Sequence, residues 1–266
     1  MIIVKVPGLN NFNKNNGCRN AGNAILKCLD DIWSSEKGKI IQPELLDLEE
    51  IHVDNENLQE QEKLIYDNAL ETFESQDKVI FLGGDHSISF PIGKAFLNFY
   101  NGRDEEACLI VFDAHPDCMK PGKNPSHEEW LRALVEQGFK PGNILLVGAR
   151  NSYKDEIEFL AENKIRQINM NQLNNNLEET TDIIMEFAHG KSLYVSFDID
   201  IIDPAFAPST GYLEPGGLTG RQAIYILQRI SLMKNLKAVD IVEVNSEKDE
   251  SGVTVKLAAK LLAELL

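Results

Sequence analysis

Residues 108–117 read Cys108-Leu109-Ile110-Val111-Phe112-Asp113-Ala114-His115-Pro116-Asp117, an unbroken apolar run that ends in acids and an imidazole. A continuous apolar run of this length suits a strand covered on both faces, as in a parallel sheet between helical layers. Two other stretches repeat the arrangement. Val79-Ile80-Phe81-Leu82 leads into Gly83-Gly84-Asp85-His86-Ser87, and Leu193-Tyr194-Val195 leads into Ser196-Phe197-Asp198-Ile199-Asp200. Working outward, strand patterns fall at 2–6, 48–53, 79–83, 108–113, 144–148, 165–169, 193–198 and 238–244. Helical patterns alternate with them at 21–33, 57–73, 92–99, 127–136, 155–161, 171–188, 220–231 and 253–266. Thr219 and Gln222 have the spacing of a capping box at the start of one of these. Strand–helix alternation predicts an α/β protein with a parallel sheet between helices. Ligands of such sheets bind beyond the carboxyl ends of the strands, where all three acidic segments lie.

The chain has 266 residues, 43% of them hydrophobic, enough for one α/β domain over 1–266. No apolar run reaches membrane-spanning length. Met1-Ile2-Ile3-Val4-Lys5-Val6 reads as a strand rather than a signal peptide, so a cytoplasmic protein is expected. Cys18, Cys28, Cys108 and Cys118 lack CxxC spacing, which sets aside a cysteine-rich zinc site and makes disulfides unexpected. Cys108 reads as core and Cys118 as a rim residue. A net charge of −16 opposes nucleic acid as a partner and is compatible with a small cationic substrate. Glutamates such as Glu56, Glu60, Glu71 and Glu74 read as a solvated face.

A buried strand end that gathers carboxylates is costly unless a cation sits there. Asp113, His115 and Asp117 are spaced i, i+2, i+4, so all three face one point if extended geometry continues past the strand. Asp198 and Asp200 do likewise, and His86 ends a third strand. Four carboxylates and two imidazoles suit two ions sharing bridging carboxylates, and an oxygen-rich set with some imidazole suits Mn²⁺. Two such ions make a bound water acidic enough to yield hydroxide near neutral pH. A single strand-end Asp is more often a turn or cap residue. That reading fits Asp85, which orients a ligand or caps the next helix, and Asp203, which shapes a turn before Pro204.

Taken together, Gly83–Ser87, Asp113–Asp117, the run Ser196-Phe197-Asp198-Ile199-Asp200-Ile201-Ile202-Asp203-Pro204, Glu214-Pro215-Gly216-Gly217-Leu218-Thr219 and Asp240-Ile241-Val242-Glu243-Val244-Asn245 resemble the arginase/agmatinase ureohydrolases. The resemblance implies a three-layer α/β/α domain around an eight-stranded parallel sheet. It also implies two Mn²⁺ ions: His86 and Asp117 on one, His115 and Asp200 on the other, Asp113 and Asp198 bridging. A metal-bridging hydroxide would attack a guanidinium carbon, releasing urea and an amine. Glu243 matches the acid that pairs with the guanidinium, and His127 matches a histidine that shuttles protons. His52 and His189 match nothing and read as structural or exposed. The family's trimers and hexamers imply a homo-oligomer.

Substrate choice in this family lies in loops. Residues 118–126 lack the serine/threonine-rich arginase pattern and carry Lys120 and Lys123. His127 with Trp130 and Leu131 looks more like the agmatinase side. Ser209-Thr210-Gly211-Tyr212 departs from the usual agmatinase turn and places Tyr212 as a substrate-pocket residue. Agmatine, cleaved to putrescine and urea in polyamine metabolism, is the first expectation. The alternatives are arginine, a guanidino acid, a formimino compound such as formiminoglutamate, or a non-catalytic metal-binding relative. A two-metal phosphoesterase is disfavoured, since no arginine cluster or phosphate-cradling loop adjoins the acids.

Overall fold

The computed structural model describes residues 1–10, 14–101, 103 and 105–266. Its strands are β1 (Ile2–Val6), β2 (Leu48–Glu50), β3 (Val79–Gly83), β4 (Ala107–Phe112), β5 (Ile144–Val147), β6 (Arg166–Ile168), β7 (Ser192–Asp198) and β8 (Leu236–Val242). All pair in parallel, in the order β2-β1-β3-β8-β7-β4-β5-β6. The helices are α1 (Ala21–Leu29), α2 (Leu58–Ser75), α3 (Ser89–Asn101), α4 (Trp130–Glu136), α5 (Lys154–Glu162), α6 (Met170–Asn175), α7 (Leu177–Phe187), α8 (Gly220–Ile230) and α9 (Val253–Leu265).

Strand alternation sorts the core into two apolar layers. On β4, Cys108, Ile110 and Phe112 face residues of α1 and α6–α9, while Leu109 and Val111 face those of α2–α5. Every residue of β4 is buried, and each large side chain contributes about 1.5–3 kcal/mol by leaving water. This is the expected three-layer α/β/α arrangement. Register levels the central strands. Phe112 pairs with Phe197, Asp198 with Val242, and Leu82 with Ile241. The chain therefore leaves β3, β8, β7 and β4 at one height, and everything that follows those ends meets.

Several boundaries differ from expectation. The helix expected over 171–188 is two, because the Asn176 side chain accepts the Glu179 amide and caps a new start, α7. The helix expected from 127 begins at Trp130, leaving His127 in the preceding turn. Strands β2 and β6 are shorter than their patterns, as edge strands commonly are. Among the described residues, no helix is long and apolar enough to cross a membrane.

Candidate metal centre

The three acidic segments do not continue as strands; the i, i+2 geometry expected of them is replaced by one repeated turn. Asp85 Oδ1 accepts the Ser87 amide at 3.1 Å, Asp113 Oδ1 the His115 amide at 2.6 Å, and Asp198 Oδ1 the Asp200 amide at 2.7 Å. Each strand thus ends in an Asx turn. In Asp113 and Asp198 the turn uses one carboxylate oxygen and leaves Oδ2 facing inward. Asp117 takes a left-handed backbone, φ 52°, to bend back toward the same point.

The six predicted ligands converge. His86 Nδ1 lies 3.0 Å from Asp113 Oδ2, 2.9 Å from Asp117 Oδ2 and 3.2 Å from Asp198 Oδ2. His115 Nδ1 lies 2.9 Å from Asp200 Oδ2 and 3.6 Å from Asp113 Oδ1. Among the described residues, two groups able to hold an ion share Asp113: His86–Asp113–Asp198 and Asp113–His115–Asp200. His86 Nδ1 and Asp113 Oδ2 are buried without hydrogen-bond partners. Burial, then the charge of Asp113, pushes the Asp117 carboxyl up to about 8. Burial and neighbouring acids also raise Asp198 and Asp200. Crowded buried carboxylates and orphaned donor atoms are what a cation would relieve, so the donor set fits metal.

Neither imidazole is left loose. His86 Nε2 lies 2.9 Å from Ser196 Oγ, whose hydroxyl donates to Asp240 Oδ1 at 2.8 Å. With that proton committed to Asp240, Nε2 is the donor and Nδ1 faces the acids. Asp240 is saturated: Tyr194 OH, Ser89 Oγ (2.8 Å) and the Phe197 amide (3.2 Å) also donate to it. Such outer partners fix ligand orientation. His115 Nε2 lies 3.4 Å from Glu214 Oε1, which Asn151 Nδ2 holds at 2.6 Å. Trp130 Nε1 donates to Asp117 Oδ2 at 2.8 Å, and its ring walls His86.

Glu243 follows β8 with φ 63° and is buried. Its Oε1 accepts the His86 amide at 2.9 Å and Asn15 Nδ2 at 3.1 Å; Oε2 lies 3.9 Å from Cys18 Sγ. His127 is buried, neither ring nitrogen has a hydrogen-bond partner among the described residues, Nε2 lies 3.9 Å from Glu128 Oε1, and burial lowers its pKa. Its ring packs on Tyr212, centroids 5.5 Å apart. A cavity of about 80 Å³ is lined by His115, Asp117, His127, Tyr153, Tyr212 and Glu214, among others. Glu243 is not in that lining, and its Oε1 is held by the His86 amide.

Cys118 is fully buried, its thiol donating to Pro116 O at 3.1 Å, which corrects the rim reading. Asp85 caps the turn at His86, and Asp203 accepts the Ala205, Gly216 and Gly217 amides, as turn residues should. His52 and His189 are exposed and distant in role. Sequence reasoning missed Asn15, Ser196, Trp130 and Glu214 as functional. It also missed Asp240, although a lone charge inside Ala238-Val239-Asp240-Ile241-Val242 is a signal for a buried polar network.

A doubly covered parallel sheet with paired acid–imidazole clusters at its carboxyl edge defines a class of metal-centre α/β proteins. The sequence model of the Arginase family matches residues 1–266, and the chain belongs to that family. The metallophosphoesterase reading is thereby set aside. Over 188 residues the chain is 32% identical to the agmatinase of Bacillus subtilis (strain 168), covering 70% of this chain and 61% of that protein. Over 190 residues it is 34% identical to the mitochondrial arginase 1 of Oryza sativa subsp. indica, covering 70% and 54%. The matches thus span less than two thirds of these relatives' own length. The fold is similar to that of formimidoylglutamase from Bacillus subtilis subsp. subtilis str. 168, with a TM-score of 0.90, 22% identity, and coverage of 99% of this chain and 85% of that one.

Proposed function

We propose that the chain is a single-domain, Mn²⁺-dependent amidinohydrolase that cleaves a linear guanidine, agmatine first, to urea and an amine, acting in the cytoplasm as a homo-oligomer. The observation that carries this reading is the convergence of His86, Asp113, Asp117, Asp198, His115 and Asp200 beside the buried carboxylate of Glu243. In the proposed assignment His86 and Asp117 would hold one ion, His115 and Asp200 the other, and Asp113 and Asp198 would contribute to both. Bound there, the ions would supply Lewis acidity and a water that loses its proton near neutral pH. The remaining work falls to side chains. Glu243 orients the planar guanidinium, which a carboxylate matches with two acceptors. His127, its ring 5.5 Å from the Tyr212 ring centroid, takes up the proton lost by the attacking water and passes it to the departing amine.

The cavity supports a cationic tail. Its described lining includes Glu128, Glu156 and Glu214 and no lysine or arginine, so a substrate carboxylate finds no counter-charge there. One observation favours a second reading. Lys14 Nζ sits 4.0 Å from the Tyr212 ring centroid, and a guanidino acid could recruit it. The test is urea release by the Mn²⁺-loaded protein from agmatine, arginine, guanidinobutyrate and guanidinopropionate. Preference for agmatine is expected. Preference for a guanidino acid would transfer the substrate to the second reading. No urea from any, with two ions bound per chain, would overturn the guanidine reading.

A further inference from the structure

Asn15 lies on the opposite end of the chain from Glu243, 228 residues away, yet its Nδ2 donates to Glu243 Oε1 at 3.1 Å. The turn that carries it is pinned onto the segment after β8. Asn245 Nδ2 donates to Lys14 O at 2.9 Å and Ser246 Oγ to Gly17 O at 3.1 Å, while the turn itself is closed by Cys18 N donating to Asn15 O at 2.8 Å. Two glycines permit this close fit. A Cβ on Gly211 would fall 1.8 Å from Asn15 Oδ1, and one on Gly17 would fall 2.0 Å from Asn245 Oδ1.

The amide is fully buried, and among the described residues its Oδ1 has no hydrogen-bond partner. Leaving a buried amide oxygen unpaired is unfavourable. An apolar side chain of the same shape would fill this space at less cost, so packing alone does not account for an asparagine. Glu243 Oε1 is already occupied by two donors, the His86 amide and Asn15 Nδ2. Among the described residues, Oε2 has only the Cys18 thiol, at 3.9 Å. A substituted guanidinium offers several N–H donors in one plane and needs several acceptors.

We propose that Asn15 and Glu243 form one guanidine-recognition unit, in which Asn15 Nδ2 locks the carboxylate through Oε1 and leaves Glu243 Oε2 to accept from the substrate. The inference rests on the guanidine reading above and extends it to a residue from the amino-terminal turn. Asn15 acts as a positioning residue, and the discriminating variant is Asn15→Leu. Leucine keeps nearly the same volume but brings no N–H to Glu243; Asn15→Ala removes the donor and the bulk together.

The experiment measures kcat and KM for urea release from agmatine by Mn²⁺-loaded wild type, Asn15→Leu, Asn15→Ala and Glu243→Gln, with metal content and thermal midpoint recorded for each. If the wild type prefers another compound of the guanidine panel, that compound replaces agmatine. Both Asn15 variants should lose about tenfold to a hundredfold in kcat/KM, chiefly through KM, with two ions bound and a near-wild-type midpoint. Wild-type kcat/KM in Asn15→Leu, alongside an inactive Glu243→Gln, would overturn the Asn15 inference and leave Glu243 standing. A Glu243→Gln variant as active as wild type would overturn the unit as a whole. A wild type that releases urea from no panel compound would overturn both the guanidine reading and this extension.

Discussion

At the residue scale, the centre depends on a division of labour within single side chains. In Asp113 and Asp198 one carboxylate oxygen turns the backbone and the other faces His86. Either residue changed to alanine should lose metal and activity together; two ions bound at full occupancy would refute a bridging role. Glu243→Gln should keep its metal and lose turnover, and unchanged turnover would remove Glu243 from the mechanism. The path from His86 through Ser196 to Asp240 predicts an effect one shell out. Ser196→Ala should weaken Mn²⁺ binding by about tenfold to a hundredfold, read by calorimetric titration of the metal-free protein. Wild-type affinity would show that the serine does not orient the ligand.

At the element scale, both ends of the sheet matter. Lys78, just before β3 and opposite the metal centre, donates to Leu265 O at 3.0 Å. Burial, with Lys39 and Lys37 nearby, lowers its pKa from 10.5 to about 8. A depressed lysine favours the fold when neutral, so its contribution is complete above 10.5 and lost as pH falls through about 8. Lys78→Met should therefore raise stability at pH 7 by on the order of 2 kcal/mol, with the gain fading toward pH 10.5. Urea-melt midpoints across that range would test it, and a pH-independent difference would contradict it. The break between α6 and α7 rests on the Asn176 cap. Asn176→Ala should cost about 1 kcal/mol without changing metal content.

At the scale of the whole molecule, the metal centre and the fold are coupled through charge. Asp117, raised to about 8 by burial and Asp113, favours the metal-free fold only while protonated. That contribution is present below the ordinary 3.8 and is lost as pH rises through about 8. Chelation should therefore lower the thermal midpoint more at pH 8 than at pH 5. Equal shifts at both would mean the acids are not what the ions neutralise. Much of this architecture was legible in the chain. Apolar runs of strand length require two covered faces, which determined eight strands, a parallel sheet and the edge where chemistry gathers. The acids and imidazoles at three run ends named all six converging side chains, because strand ends are local features of sequence. What local pattern could not carry was decided by sheet order and register. These set β3, β8, β7 and β4 side by side, so that Asp240 reaches Ser196 and His86 from another strand. They also brought Asn15 against Glu243 across 228 residues of chain. A strand's own residues specify which faces are buried, but the partner on each face exists only once distant segments have packed.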